Sequence, residues 1–586
     1  MSVPAHRPED DLCVRILDAC LREDIHDLRT TGTVDHRADG PWLTVHSGSR
    51  TAELPVRQGS FLCDLTARGP ALIEDARRLT GLEALLGFLA AGTGPEDADD
   101  AEGFAAFADE CRAALATVRL HERHRDDVFA RLAGEPARGI AGSLVYDTVA
   151  AYHDHPAYPT ARCRVGLSEG QLRGHAPEFL PTFALRWAAV PHPSATVRGE
   201  LPQWWPTPSR LGLPDRYDAS HLAFPVHPLT DPRAVQAAVP GVHHAAEPYL
   251  TVAPTLSMRS VVPLDHTEEH LKLPLATSTL GLKNRRTITP GSLTDGDAGT
   301  HLLRLVLDAE PRFRHRILVA DERTHGHAGH ELAGFLVRRH PPGLDGARVV
   351  AVAALAATSP GGRMVVESLA DEYFDGDPIA LYDTYLRLLL DWHVTLWLRY
   401  GIALESHQQN TSLVLDRDGG GRTRLRLLLK DNDSPRVLTG RVRTRLGEAA
   451  EAVPFHDPRI PVADGAPLAD LFTTITLHLC AAAPLIALAA AGRAGLPGLM
   501  SLLRSRLEAA AARHPDSPDF PLLHDRLFTG RLMPVKLMVT AGTLLDKARS
   551  GASDINKHYA WTGPNYLAPQ AVTVPVVRSV PRAGTR

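Results

Sequence analysis

The stretch 401–436, GIALESHQQNTSLVLDRDGGGRTRLRLLLKDNDSPR, constrains this 586-residue chain more than any other. Ahead of it, Leu381, Tyr385, Leu389, Trp392 and Leu396 share one helical face, Arg399 sits in the last turn, and Gly401 supplies the stop. Within it, two strand-like runs, 411–416 and 423–430, flank a Gly-rich turn. Glu405, His407, Gln409 and Asn410 therefore stand between a helix end and a strand, with Asp431 and Asp433 just past the return strand. The residue entering one strand of a hairpin lies opposite the residue leaving the other, so Asn410 and Asp431 are expected as neighbours. Hard oxygens paired in this way suit Mg²⁺ with room left for phosphates. The plainer alternative is a polar hairpin base with capping side chains.

The rest of the pattern is α+β in three lobes: 1–185 helical, 186–370 β-rich, and 371–586 mixed, with C-terminal helices. Residues 1–135 place apolar side chains mostly at three- and four-residue spacing, and 140–200 are mixed and Pro-rich. Between 220 and 365 short β-like runs dominate (YLTVAPT, RSVVPL, LATSTL, RRTIT, RILVA, RVVAVAAL). After 465 the chain reads as helical to 550, and its last stretch as extended and frayed. Residues 471–491 carry no formal charge and are long enough to cross a bilayer. They are Ala- and Thr-rich, include His478 and Pro484, and lack a nearby basic cluster, so buried helices are expected rather than a span.

Charge narrows the function classes. The net charge of −5 has no basic tail, which argues against nucleic acid as a partner. Of 63 basic residues six are lysine, at 272, 283, 430, 536, 547 and 557, and none precedes Ser or Thr, so there is no P-loop. HExxH and GxGxxG are also missing. Six scattered cysteines read as free thiols of a reducing cytoplasm, and the acidic N-terminus shows no signal peptide.

Two further clusters carry chemistry. In 254–287, Ser257, Arg259, Ser260, Lys272, Arg285 and Arg286 are able to clamp a triphosphate without a P-loop, although Arg285 and Lys283 also read as surface residues. In 152–179, His155, Tyr158, Arg162 and Arg164 suit a carboxylate-rich ligand, with a rigid Pro turn and surface arginines as the alternative. Three further patterns are set aside. Gly166–Gly170 matches a nucleophile elbow, but Ser168 with Gln171 reads better as a helix cap. His325, His327 and His330 read as a solvated loop rather than a metal site, and Trp204-Trp205 as packing.

Taken in order, these clusters resemble the siderophore synthetases independent of nonribosomal peptide synthetases, the aerobactin-synthetase-like IucA/IucC family. The resemblance covers about 150–435. Its motifs appear as Asp154–Gly166, Phe224–Pro228, Ser257–Ser260, Lys272-Leu273-Pro274 through Arg286-Thr287, Gly401–Thr411 and Lys430–Asp433. Tyr158 and Phe224 stand where the family has histidines, and Lys430 where it has Arg.

The resemblance implies a hand-like fold with thumb, fingers and palm, a homodimer, and use of ATP and Mg²⁺. One carboxylate of citrate or a related acid would be adenylated and then captured by an amine, hydroxylamine or alcohol. It assigns ATP to Ser257, Arg259, Ser260, Lys272, Arg285, Arg286, His407 and Gln409, with His407, Lys272 and Arg259 catalytic. Mg²⁺ goes to Glu405, Asn410 and Asp431, and the acid to His155, Arg162 and Arg164; Tyr158, from its place in the same segment, and Lys536, as one of the few lysines, are expected to join them. Two other readings stay open: a kinase-like phosphotransferase, which the Asn/Asp hairpin alone allows, and a non-catalytic small-molecule-binding protein.

Overall fold

The computed structural model describes residues 7–94, 97–552 and 557–568. Most of the final extended stretch and the first residues of the N-terminus lie outside that range.

The N-terminal lobe departs from the helical expectation. Helix Pro8–Glu23 buries Leu12, Ile16 and Leu17 against strands that run from Thr33 to Leu79 in an antiparallel six-stranded sheet. The reason lies in residues 40–61, where Leu43, Val45, Ala52, Leu54 and Val56 alternate inward with period two on paired strands. Gly48 makes the left-handed turn between them, at φ +58°. The expected helix does follow as Ala98–Leu132, with Phe104, Phe107 and Cys111 buried.

The middle of the chain forms a seven-stranded sheet. Strands Thr251–Pro254, Ser260–Pro263, Glu269–Lys272 and Gly334–Arg339 lie side by side in it. Of the expected β-like runs, 275–280 and 285–289 form no strand and meet only as a bridge between Ser278 and Arg285. The histidine cluster is not a solvated loop. His325 and His327 lie on strand Asp321–His327, paired with Gly334–Arg339, because their alternation fits a strand between two neighbours. His325 is buried, and only His330 sits in the turn.

Helix Pro378–Thr395 continues through a π-turn at Leu396–Tyr400, and Gly401 ends it at φ +72°. All five residues of the expected apolar face are buried. The hairpin forms as Thr411–Arg417 with Thr423–Leu429, inside a four-stranded sheet completed by Ile317–Val319 and Arg348–Ala351. The main core gathers Val149, Leu303, Val350, Trp392 and Leu427, so it draws on segments from both sides of residues 185 and 370. The uncharged segment lies in the helical run Ala466–Ala490, 89% of whose most apolar window is buried inside the protein. His478 there reaches Tyr566 Oη at 2.8 Å and the Pro534 carbonyl at 3.0 Å, so its polar groups are satisfied internally.

Candidate functional site

One cavity of about 360 Å³ lies where the three regions meet, and all the expected site residues but Tyr158 line it. A tight turn and a strand pairing build its cationic side. Met258, at φ +63°, turns the chain between strands Thr251–Pro254 and Ser260–Pro263 and leaves Arg259 at the tip. Ser257 Oγ accepts from the Ser260 amide at 3.0 Å, and Ser260 is the cross-strand partner of Lys272. Arg259 donates to the carbonyls of Arg286 (3.2 Å) and Thr287 (2.8 Å), so it fixes the segment that carries the next cation. Arg286 itself has no hydrogen bond or ion pair from its guanidinium among the described residues. Burial, then the nearby Arg259 and Arg164, lower it to about 9. Arg285 sits at the rim, paired with Glu331 at 2.7 Å.

The hairpin register sets the opposite wall. Thr411 pairs with Leu429, so the Lys430 amide meets the Asn410 carbonyl at 3.1 Å and Asp431 follows one residue later. Lys272 Nζ lies 2.6 Å from Asp431 Oδ1 and 3.4 Å from Asp433 Oδ2. Arg338 Nη2 stands 2.7 Å from the same Oδ1, as a charge contact rather than an aligned hydrogen bond. Burial alone would raise the Asp431 carboxyl, but Arg338, Lys272 and Lys430 hold it well below the usual range. Its Oδ2 accepts no hydrogen bond among the described residues.

This donor set was weighed against Mg²⁺. No group of three or more His, Cys, Asp or Glu converges among the described residues. Asn410, Asp431 and Asp433 nonetheless offer hard oxygens on the cavity wall, and Mg²⁺ needs only one or two carboxylates when phosphates supply the rest. They fit. Glu405 lines the same cavity, and its carboxylate faces Lys557 Nζ at 3.1 Å and Lys536 Nζ at 4.0 Å, much as Asp431 faces Lys272.

At the other end His155 Nδ1 accepts the amides of Ala157 and Tyr158, at 3.1 and 2.9 Å. Arg162 holds Asp154 at 2.9 Å, and Asp154 also takes Arg15 at 2.7 Å. Arg164 meets Glu178 at 3.4 Å and lies toward Arg286. Burial lowers His155 to about 3 and His407 to about 4, so both imidazoles are neutral at pH 7. His407 Nδ1 accepts from the Gln409 amide at 3.2 Å, which leaves its N–H on Nε2 as a neutral donor rather than a cation. Tyr158 is a correction. It is fully buried, and its hydroxyl donates to Glu110 at 2.9 Å, in a cluster with Thr160 and Thr543. Apolar neighbours draw the ring inward, away from the cavity.

Asp154 and Asp433 stood within the sequence motifs without an assigned role, and Glu178 and, behind the wall, Asp147, Glu322 and Arg338 were not singled out. Asp147 accepts the Leu256 amide at 3.1 Å and faces Lys430, which ties the arginine turn to the hairpin. Ser168 and Gln171 form the expected reciprocal cap.

Residues 146–357 match the family model described as IucA / IucC family, and residues 380–544 match one described as ferric iron reductase FhuF-like transporter. An uncharacterized protein, y4xN, of Sinorhizobium fredii is 28% identical over 362 residues, 53% of this chain and 57% of its own length. Staphyloferrin B synthase of Staphylococcus aureus is 26% identical over 338 residues, 50% of this chain and 54% of its own. The match thus spans little more than half of either relative. Among solved structures, the petrobactin biosynthesis protein AsbB from Bacillus anthracis superposes with TM-score 0.71 at 16% identity over 95% of each chain. ATP-bound aerobactin synthetase IucA of Klebsiella pneumoniae gives 0.69 at 16% identity, covering 96% of this chain and 100% of its own. At such identities these two likenesses speak for the fold.

Proposed function

We propose, from the premise that the chain belongs to the IucA/IucC family of siderophore synthetases, that it is an ATP-dependent ligase joining a carboxylic acid to an amine, hydroxylamine or alcohol. The observation that carries this is the cationic wall. Arg286 makes no direct ion pair among the described residues and stands beside Arg259 and Arg164, with Asp431 and Asp433 only at longer range, in a cavity whose far end presents Lys536 and the neutral His155. A guanidinium held in a cleft without a directly paired carboxylate has its partner in a ligand anion.

In this reading ATP phosphates lie along Ser257, Arg259, Lys272 and Arg286, with Arg285 at the rim. The acid, citrate or a relative, lies toward His155, Arg162 and Lys536. Its carboxylate oxygen attacks the α-phosphorus, the bond from that phosphorus to the pyrophosphate oxygen breaks, and the cations stabilise the charge on the leaving pyrophosphate. Neutral His407 donates from Nε2 to an oxygen at the reacting phosphoryl group. Glu405, Asn410 and Asp431, with Asp433 beside them, would hold Mg²⁺, which would supply charge neutralisation for the triphosphate. The nucleophile then displaces AMP from the acyl carbon. The active species is proposed to be a homodimer.

The test is acid-dependent hydroxamate formation with hydroxylamine, screened over citrate, 2-oxoglutarate and succinylated amines. AMP and pyrophosphate should be released; release of ADP would instead identify a phosphotransferase. Lys272→Ala and His407→Ala should each lower the rate by about a hundredfold or more. Unchanged rates in both would overturn the site assignment.

A further inference from the structure

The turn that carries Asp431 is built on a buried ion pair that neither binds the cavity nor belongs to any motif. Glu322 and Arg338 are each about 1% exposed and lie 2.5 Å apart across the strands Asp321–His327 and Gly334–Arg339. Asp431 has φ +56°, a left-handed backbone that Asp adopts only when its surroundings hold it there. Glu322 does the holding. Its Oε1 accepts the Asp431 amide at 2.9 Å, and its Oε2 the Asn432 amide at 3.4 Å. A carboxylate that accepts two successive amides templates the turn as an anion templates a nest. Gly299 on helix Pro290–Ala309 closes it from below, since a Cβ there would come 2.1 Å from the Asn432 carbonyl oxygen. Arg338 then bridges the two carboxylates, and like Lys272 it makes its nearest contact with Asp431 at Oδ1.

We propose that Glu322 and Arg338 are positioning residues that fix the Asp431 turn with carboxylate oxygen Oδ2 presented to the cavity, ready for the divalent cation that accompanies the nucleotide. The inference rests on the ATP reading above. It separates two functions of the site: the arginine turn and Lys272 take the phosphates, while the buried pair sets metal affinity from behind the wall.

The experiment uses the full chain with a nonhydrolysable ATP analogue. Mn²⁺ binding to the protein–analogue complex is followed by electron paramagnetic resonance, and binding of the analogue alone, in chelator, by calorimetry. Glu322→Gln and Arg338→Gln should each weaken Mn²⁺ binding about tenfold or more, yet keep the metal-free analogue within about threefold of wild type. A general loosening of the cleft would weaken both together and would overturn the proposal, as would folded variants with Mn²⁺ affinity unchanged. Should either single variant fail to give a cooperative melt, the double variant Glu322→Gln/Arg338→Gln, which leaves no unpaired buried charge, is read in the same way. A wild-type protein that binds no analogue at all would overturn the ATP reading itself and the pair's role with it; binding of the analogue without Mn²⁺ would overturn the pair's role alone.

Discussion

Arg286 shows what a single residue can disclose. A base lowered to about 9 by burial, with Arg259 and Arg164 adding to it, gives up its proton in the folded protein long before the unfolded chain does. Above that value the unfolded state binds more protons, so stability rises with pH; below it the charged side chain is a constant penalty on the fold. Arg286→Gln is therefore expected to stabilise the unliganded protein by on the order of 1 kcal/mol while lowering acid-dependent ATP–pyrophosphate exchange by about a hundredfold. Thermal midpoints and exchange rates check both halves, and a variant less stable than wild type with full exchange would refute the argument. At this scale the sequence was readable where polar residues cluster locally, as in 254–287 and 401–436. It was silent on Glu322, Arg338 and Asp147, because each is an isolated charge on a regular element and gains its meaning only from a partner more than a hundred residues away, or, for Glu322 and Arg338, from a strand neighbour. Tyr158 misled for the converse reason: it sits inside a motif-like run, but its ring follows the apolar core.

Among the elements, segment 538–545 is the least self-sufficient. Its first amides are capped not by their own chain but by Glu23, at the end of the first helix. Oε1 accepts from Met538 and Val539 at 3.0 and 3.1 Å, and Oε2 from the Thr540 amide and hydroxyl at 2.9 and 3.0 Å. On the other side Gly281, at φ +113°, lies so close that a Cβ would come 2.9 Å from the Gly542 Cα. This contact sets the loop ahead of Arg285 and Arg286 against the segment behind Lys536. Glu23→Gln puts an NH₂ group against backbone donors and is expected to cost about 2–3 kcal/mol, hardly less than Glu23→Ala. Because Lys536 and Met538 line the cavity, the KM for the acid should rise more than the KM for ATP. Denaturant midpoints and the two KM values test this; a stability within about 0.5 kcal/mol of wild type would show the cap to be dispensable. Helix 378–395 and the hairpin were legible as elements because one strong period dominated each. The sheet over 33–79 was not, since four of its six strands are short, Gly, Asp and Pro interrupt the run, and the flanking helices have a period that overwhelms theirs.

Over the whole molecule the α+β class was legible, but the way segments are shared was not. One core is assembled from stretches as far apart as Val128 and Leu567, and periodicity reports only local faces. The same assembly fully buries His121, His227, His325, His393 and His478 and half-buries His155, His340 and His407. His121, His325, His407 and His478 are lowered to about 4, and His155, His227, His340 and His393 to about 3, in every case by burial first. In the unfolded chain they titrate near 6.5. Their contribution is therefore complete above about 6.5 and is lost as pH falls toward 4, because the unfolded state takes up protons that the folded state refuses. Each uncompensated histidine adds about 1.4 kcal/mol per pH unit to that loss. Burial raises the carboxyls of Glu110, Asp147 and Asp470, which work in the opposite sense but chiefly at the acid end of the window. The expected result is a steep fall in the urea midpoint between pH 7 and 5, with several protons taken up per molecule unfolded. His393→Leu, which replaces a buried imidazole whose Nε2 has no partner, should reduce that uptake by about one proton while leaving the pH 7 midpoint nearly unchanged. A midpoint independent of pH over this range would mean that the histidines are hydrated and the lobes less closely packed than their burial indicates.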